Sequence, residues 1–278
     1  MLDEVTLDGL PLIGPDSRGI SWGLYTLEGW GSPQGTLDTE QRARAHGSWA
    51  GEQWLEARSL SLEGEALLPS ADLAVQAQDA LIAAVSLSGA ELAVTEGGTT
   101  RTLTVRRDGE VMIEWSPSRP LTFEWSVQVV ALDPRKRGQA VTASTALPST
   151  TGGLSIPFEV PFSIDAVTVS GQCSLTNPGN TTGPMRLRID GPIVAPVVTH
   201  VASGKSLVFA SSLSLGAGEF LIVDMESQRV LAQGIEPRDG WITRDEFFGF
   251  EPGVNVLAFA AAGGGSGTLT AEGEPCWQ

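Results

Sequence analysis

Residues Pro120–Gly138 read PLTFEWSVQVVALDPRKRG. Leu121, Phe123, Trp125, Val127 and Val129 alternate with Thr122, Glu124, Ser126 and Gln128. Successive side chains of a strand leave opposite faces, so this period of two predicts one apolar face and one polar face. A run of about ten residues is at the long end for strands and can cross a whole sheet. It stops at Asp133-Pro134, where proline removes a ladder donor and fixes φ. Arg135, Lys136, Arg137 and Gly138 then read as a solvated exit. The stretch is thus expected to be the last strand of one domain and the start of the link to a second.

Length agrees with that division. A chain of 278 residues is long for one core, and two domains, 1–138 and 139–278, follow. The apolar fraction of 41% is ample for folding, while 33 glycines and 17 prolines favour short strands and turns over long helices. Upstream, Glu4–Leu12 reads as a strand with Val5 and Leu7 inward and a turn at Asp8-Gly9. Trp22–Gly35 is rich in glycine and tryptophan, and the polar run around Arg42, Arg44 and His46 reads as a loop. Glu56–Gly64 is a strand. One helix is predicted after Ser70, a good N-cap, with Asp72 in its first turn. Its apolar face is Leu73, Ala77, Ala80, Leu81 and Ala84, and it stops by Ser88-Gly89. A meander follows, with Thr102–Arg107, a two-residue hairpin at Asp108-Gly109 and a return over Val111–Trp115.

After Gly138 the character changes. Thr142–Gly153 reads as a linker or inserted arm. Eight strands are then expected: Ala166–Val169, Met185–Ile189, Val197–His200, Ser206–Phe209, Phe220–Asp224, Arg229–Gln233, Val254–Ala260 and Gly267–Glu272. Short strands separated by regular turns predict a β-sandwich or jelly roll.

The formal charge is −16, and it divides as −9 over residues 1–140 and −7 over 141–278. Such a surface argues against direct phosphate binding and fits one that nucleic acid passes without sticking. Two cysteines, Cys173 and Cys276, form no CxxC or Cys/His cluster, so no metal site is expected; whether they pair is open. The N-terminal MLDEVTLDG lacks the apolar core of a signal peptide, and no stretch reaches the length of a membrane span. The two histidines, His46 and His200, lie near no nucleophile motif. No phosphate loop, dinucleotide fingerprint or calcium loop is present. Neither a catalytic residue nor a cofactor is therefore expected. Trp241, Phe247 and Phe248, in GWITRDEFFGF, either pack as core or form an outward aromatic patch that could stack on sugar.

Three passages, taken in order, carry a resemblance. The first is Leu103–Gly109 through Phe123–Val129, closing on Ala131-Leu132-Asp133-Pro134-Arg135. The second is Asn177-Pro178-Gly179-Asn180 with Pro184, Leu187, Ile189, Gly191-Pro192, Pro196, Val198, Ser203-Gly204 and Leu207. The third is Trp241 with Phe250-Glu251-Pro252-Gly253-Val254-Asn255-Val256-Leu257, Gly267–Thr270 and Trp277. In this order and spacing the chain resembles the distal tail protein (Dit) family of bacteriophages with long non-contractile tails.

The resemblance implies a mainly β fold. Its N-terminal belt domain would be a split β-barrel-like sheet with one helix, and its C-terminal domain a galectin-like β-sandwich. It implies a non-enzymatic virion component at the tail tip, assembled in the host bacterial cytoplasm as a hexameric ring. The tail tube protein and the tail-tip hub are its implied partners, with tape-measure and receptor-binding proteins as further ones. DNA would pass through without being specifically bound. On this reading Trp30, Trp49 and Trp54 are expected at subunit contacts, since exposed tryptophan in a long loop usually has a partner. Glu124 and Gln128, on the outward face of the long strand, are expected at a neighbour or the lumen. The alternative is a tail-tip accessory protein whose sandwich binds host-surface carbohydrate through the aromatic patch.

Overall fold

The computed structural model describes residues 2–151, 167–169 and 171–278. The chain divides into two compact units, residues 1–138 with Gln278, and Gln139–Trp277. In the first, the main elements are β1 (Leu2–Leu7), β2 (Ser21–Glu28), β3 (Gly35–Gln41), β4 (Ser48–Leu55), β5 (Arg58–Leu67), α1 (Ala74–Ala84), β6 (Ala90–Glu96), β7 (Thr99–Arg107), β8 (Met112–Trp115) and β9 (Thr122–Ala131).

The expected long strand, β9, organises this unit. Along its whole length one edge is paired antiparallel with β5, from Thr122↔Leu67 to Ala131↔Arg58. Its other edge is shared. β7 takes the C-terminal end through Val129↔Arg107 and Val130↔Arg106, and β8 takes the N-terminal end from Met112↔Ser126 to Trp115↔Phe123. Here the sheet splits. One half continues from β7 to β6 and β1, the other from β5 to β2, giving the split barrel-like sheet of a mainly β fold. Phe123, Trp125, Val127 and Val129 face inward and are buried, as their alternation requires. Trp22 meets Phe123 and Trp125 edge-on at 6.1 and 6.4 Å, contacts of roughly 0.5–1.5 kcal/mol each beyond area burial. Gly64, opposite Trp125, is required: a Cβ there would lie 2.6 Å from the indole and 2.1 Å from the Gly23 carbonyl oxygen.

Four local expectations change. β7 and β8 do not form a hairpin at Asp108-Gly109; both pair with β9, and the Asp108 N–H donates to the Gln128 carbonyl at 2.9 Å. The edge of β9 takes both strands side by side instead, β7 at its C-terminal end and β8 at its N-terminal end. The helix begins as a 3₁₀ turn at Ala71–Leu73, and the Ser70 side chain makes no capping bond. Its predicted face does turn inward, with Ala77, Leu81 and Ala84 buried. The expected loop around Arg42 is the tip of a β3–β4 ribbon. Residues 135–137 are no solvated exit, because Lys136 is buried while Arg135 and Arg137 hold Asp133 at 2.9 and 3.1 Å.

The second unit is two antiparallel sheets. One contains β10 (Val141–Ala146), β12 (Met185–Asp190), β15 (Phe220–Asp224), β16 (Arg229–Ala232) and β19 (Thr268–Gly273), ordered β10-β19-β12-β15-β16. The other contains β11 (Gln172–Asn177), β13 (Pro196–His200), β14 (Ser206–Phe209), β17 (Ile242–Asp245) and β18 (Gly253–Ala261), ordered β11-β18-β13-β14-β17. Leu187, Ile189, Leu221, Val223 and Leu269 from the first share a core with Leu175, Val198, Leu207, Leu257 and Phe259 from the second. Thr142–Ala146, the start of the expected linker Thr142–Gly153, belongs to strand β10, all six residues of which pair with β19. β11 went unpredicted. The strand expected at Ala166–Val169 lies partly outside the described residues, and Val167–Val169 pairs with Ser149–Thr151. Cys173 and Cys276 are both buried.

Candidate functional site

The β3–β4 ribbon contributes no residue to the core of its unit. Every residue from Gln34 to Trp54 is exposed, so no described residue of its own unit buries it. Its register runs from Gly35↔Leu55 to Gln41↔Ser48 and shifts between Leu37 and Thr39. That shift decides the ribbon's chemistry. Trp49 and Trp54 are five residues apart, an odd spacing that an unbroken strand would send to opposite faces. The extra residue in β4 cancels the alternation. Trp54 lies opposite Thr36 and Trp49 opposite Glu40, two positions on one face of β3. Between them, the Cβ direction of Gly51 meets Asp38. Trp49 and Trp54 thus share a face, 62% and 66% exposed, with Asp38 and Gly51 between them. Arg42 lies over Trp49 with its guanidinium carbon 4.3 Å from the ring centre.

The ribbon's root is the reverse. Trp30 is 7% exposed, so the premise of its expected contact, exposure, does not hold. Its Nε1 donates to Glu96 Oε2 at 3.1 Å. Two buried cations converge on the carbonyls around it. Arg58 Nη1 donates to the carbonyl oxygens of Gly29, Trp30 and Gly31 at 2.9, 2.8 and 2.6 Å, and Nε to that of Pro134 at 3.1 Å. Lys136 Nζ donates to those of Trp30 and Gly31 at 2.9 and 3.1 Å and sits 5.1 Å over the Trp30 ring. Burial first, then the neighbouring charges of Arg58 and Arg101, bring the Lys136 pKa down to about 8. Gly29 has φ +81°, and a Cβ there would lie 2.1 Å from the Ser59 carbonyl oxygen, so the chain enters the ribbon through a position reserved for glycine.

The outward face of β5, β8 and β9 carries Glu124 and Gln128, both exposed as expected; Thr122, expected with them, is buried. Cross-strand pairing sets Glu114, Glu124 and Glu65 in one lateral row and Met112, Ser126 and Glu63 in the next. Like charges directly opposite repel, and Arg119 relieves part of this, 2.6 Å from Glu65 and 3.5 Å from Glu124. A bulge between Leu24 and Thr26 leaves Tyr25 as the extra residue. Its phenol bonds Glu65 and Arg119, and the Glu65 bond raises its pKa. Tyr25, Met112, Glu63, Glu114 and Glu124 line an open cleft of about 320 Å³.

In the sandwich, Phe248 is 4% exposed and stacks on His200 at 5.1 Å, so it belongs to the core and not to an outward patch. Trp241 and Phe247 are half-buried against the same core, with Arg238 4.9 Å over Trp241. His200 is buried, its Nδ1 2.7 Å from Ser203 Oγ, in a bond that fixes the turn back to β14. Among the described residues, no group of three His, Cys, Asp or Glu could hold a metal ion, and no helix is long and apolar enough to cross a membrane.

This pairing of a split barrel-like sheet, bearing one described α-helix, with a two-sheet sandwich is the fold of phage tail-hub Dit proteins. One such structure is the SPP1 Dit (gp 19.1) protein, described as a paradigm of the hub adsorption apparatus in phages that infect Gram-positive bacteria. It matches with a TM-score of 0.67 over 98% of each chain, at 11% identity. A chain of the phage P2 baseplate in its activated conformation with Ca matches with a TM-score of 0.50, covering 91% of this chain and 90% of its own at 10% identity. No protein-family model and no curated protein matches the chain.

Proposed function

We propose that this chain is a distal tail ring subunit of a long-tailed bacteriophage, a structural virion component without enzymatic activity. The observation that carries the reading is the shared fold over 98% of both this chain and the SPP1 Dit protein. Residues 1–138 are the belt that closes the ring and continues the tail tube. Residues 139–278 are the outward, galectin-like sandwich. One ring face meets the tube protein and the other the tail-tip hub, with tape-measure and receptor-binding proteins nearby. Exposed Trp49 and Trp54 supply subunit contacts, and Glu124 and Gln128 face a neighbour or the lumen. A ring of chains each carrying −16 presents DNA with repulsion wherever those acids face inward, so the nucleic acid slides through unbound.

The test is the mass of the purified chain by light scattering at several concentrations, with negative-stain images of the same sample. A single ring-shaped species at six times 29.2 kDa is expected. Absence of the chain from the tail tips of assembled virions, by labelling with antibody, would overturn the reading. A neutral or basic lumen in a ring reconstruction would overturn the sliding mechanism alone.

A further inference from the structure

The tip of the ribbon and the glutamate-lined cleft are two exposed features of opposite charge on the same unit. The ribbon's tip, Gln41–Gly47, carries Arg42, Arg44 and His46 and no acid, in a chain of net charge −16. Beside it lies the exposed Trp49 ring, already stacked with Arg42. The cleft offers an apolar wall, Tyr25 and Met112, flanked by Glu63, Glu114 and Glu124. An indole with a guanidinium on its face needs such a wall with carboxylates at its rim.

We propose that the ribbon tip of one copy docks in the Tyr25–Met112 cleft of the next, Trp49 against the wall and Arg42 and Arg44 on Glu114 and Glu124. Three observations carry it. Every residue of the ribbon from Gln34 to Trp54 is exposed, which leaves its whole face open to a second molecule. The bulge aligns both tryptophans on one face, presenting a single contact surface. The directly opposed pairs Glu114–Glu124 and Glu124–Glu65 leave negative charge that Arg119 only partly meets, and a cationic tip completes the neutralisation. A strand ribbon of seven and eight residues extends on the order of 25 Å, enough to leave its own unit. The contact is heterologous, ribbon to cleft, and head-to-tail contacts close into rings when the rotation per subunit allows. The inference rests on the ring reading and supplies its interface.

The experiment uses two full-length variants, Ala43→Cys at the tip and Met112→Cys at the cleft, both at exposed positions. The native thiols, Cys173 and Cys276, are buried. Mixed and mildly oxidised, the two variants are expected to give a disulfide-linked heterodimer in large excess over either homodimer. Arg42→Glu with Arg44→Glu in the tip variant should cut its yield about tenfold, and Glu114→Arg with Glu124→Arg in the cleft variant should restore it. Far-UV circular dichroism checks that each variant is folded. A heterodimer no more abundant than the homodimers, or one indifferent to charge reversal, overturns the contact. Should the wild type still associate by light scattering in that case, the ring reading stands and the interface lies elsewhere. Should it stay monomeric, the contact is overturned all the same, and virion labelling decides the ring reading independently.

Discussion

Trp30 and Trp54 belong to one structural arm and lie at the two extremes of exposure, 7% and 66%. Trp30, at the root, is buried, bonded to Glu96 and covered by a lysine that is 106 residues away in sequence. Trp54, in the ribbon, is largely open to solvent. The root is fixed by charge: two cations, Arg58 and Lys136, both buried, hold three successive carbonyls. The ribbon has little beyond its own ladder, and an isolated two-stranded hairpin is marginally stable in water. The difference teaches where specificity can reside. A ribbon with no core of its own can still be aimed if its root is locked, and its exposed face is then free to serve a partner.

The largest effect should come from unlocking the root. Arg58→Met removes a buried cation and takes the donor from the Gly29 and Pro134 carbonyls, while Lys136 still reaches those of Trp30 and Gly31. A loss of about 3–5 kcal/mol is expected, from two buried carbonyls left without a donor together with the other bonds that Arg58 made. Trp30→Ala should cost about as much. Urea unfolding of the full chain measures both. A cost under about 1 kcal/mol for Arg58→Met would mean that the root is not fixed by these bonds.

Next in size is the pH dependence of the root. Lys136 titrates at about 8 in the folded chain against 10.5 ordinarily. Between those values the unfolded chain holds the proton and the folded chain has lost it, so this group's contribution to stability rises with pH through that window. Below about pH 8 both states are protonated and the cost of burying the ammonium is fully present. Relative to Lys136→Met, the wild type should therefore gain on the order of 2–3 kcal/mol between pH 7.5 and 10.5. The chain has two lysines, Lys136 and exposed Lys205, so lysine-selective NMR reads the titration directly, with Lys205→Arg giving the assignment. Two lysines that titrate together above pH 10 would break the contrast between root and surface.

What the sequence disclosed follows the same divide between local and distant causes. The alternation Phe123, Trp125, Val127, Val129 is a local signal, and it located both the long strand and its buried face. The helix face Ala77, Leu81, Ala84 was legible for the same reason. Trp30 and Trp54 look alike from their neighbours, Gly29 and Gly31 in one case and Gln53 and Leu55 in the other. What separates them is Arg58 and Lys136, which no window around either residue contains. Asp108-Gly109 has hairpin chemistry, yet its flanking strands pair with β9 because that edge lies open in the folded sheet. Val141–Ala146 does alternate apolar and hydroxyl residues, but its polarity hid a strand whose partner β19 is more than 120 residues on. The glutamate row was invisible for the same reason: its members come from three strands and meet only by register.

The smallest effect on stability belongs to the ribbon, and it should be the most informative about function. Trp49→Ala and Trp54→Ala remove large side chains that no core residue touches, so each should shift the unfolding free energy by less than about 0.5 kcal/mol, the usual range for surface substitutions. Association should respond quite differently. Tryptophan anchors at protein contacts typically account for about 2 kcal/mol or more when truncated, roughly a thirtyfold loss of affinity. Trp49, proposed to enter the cleft, should lose more than Trp54, which sits nearer the root. Light scattering and urea unfolding on the same two variants give both quantities. If the substitutions leave stability untouched and weaken association in that order, the ribbon is a contact surface aimed by a rigid base. If they destabilise the chain by as much as Trp30→Ala does, the ribbon is held by its own unit, and the contrast between exposed ribbon and locked root fails.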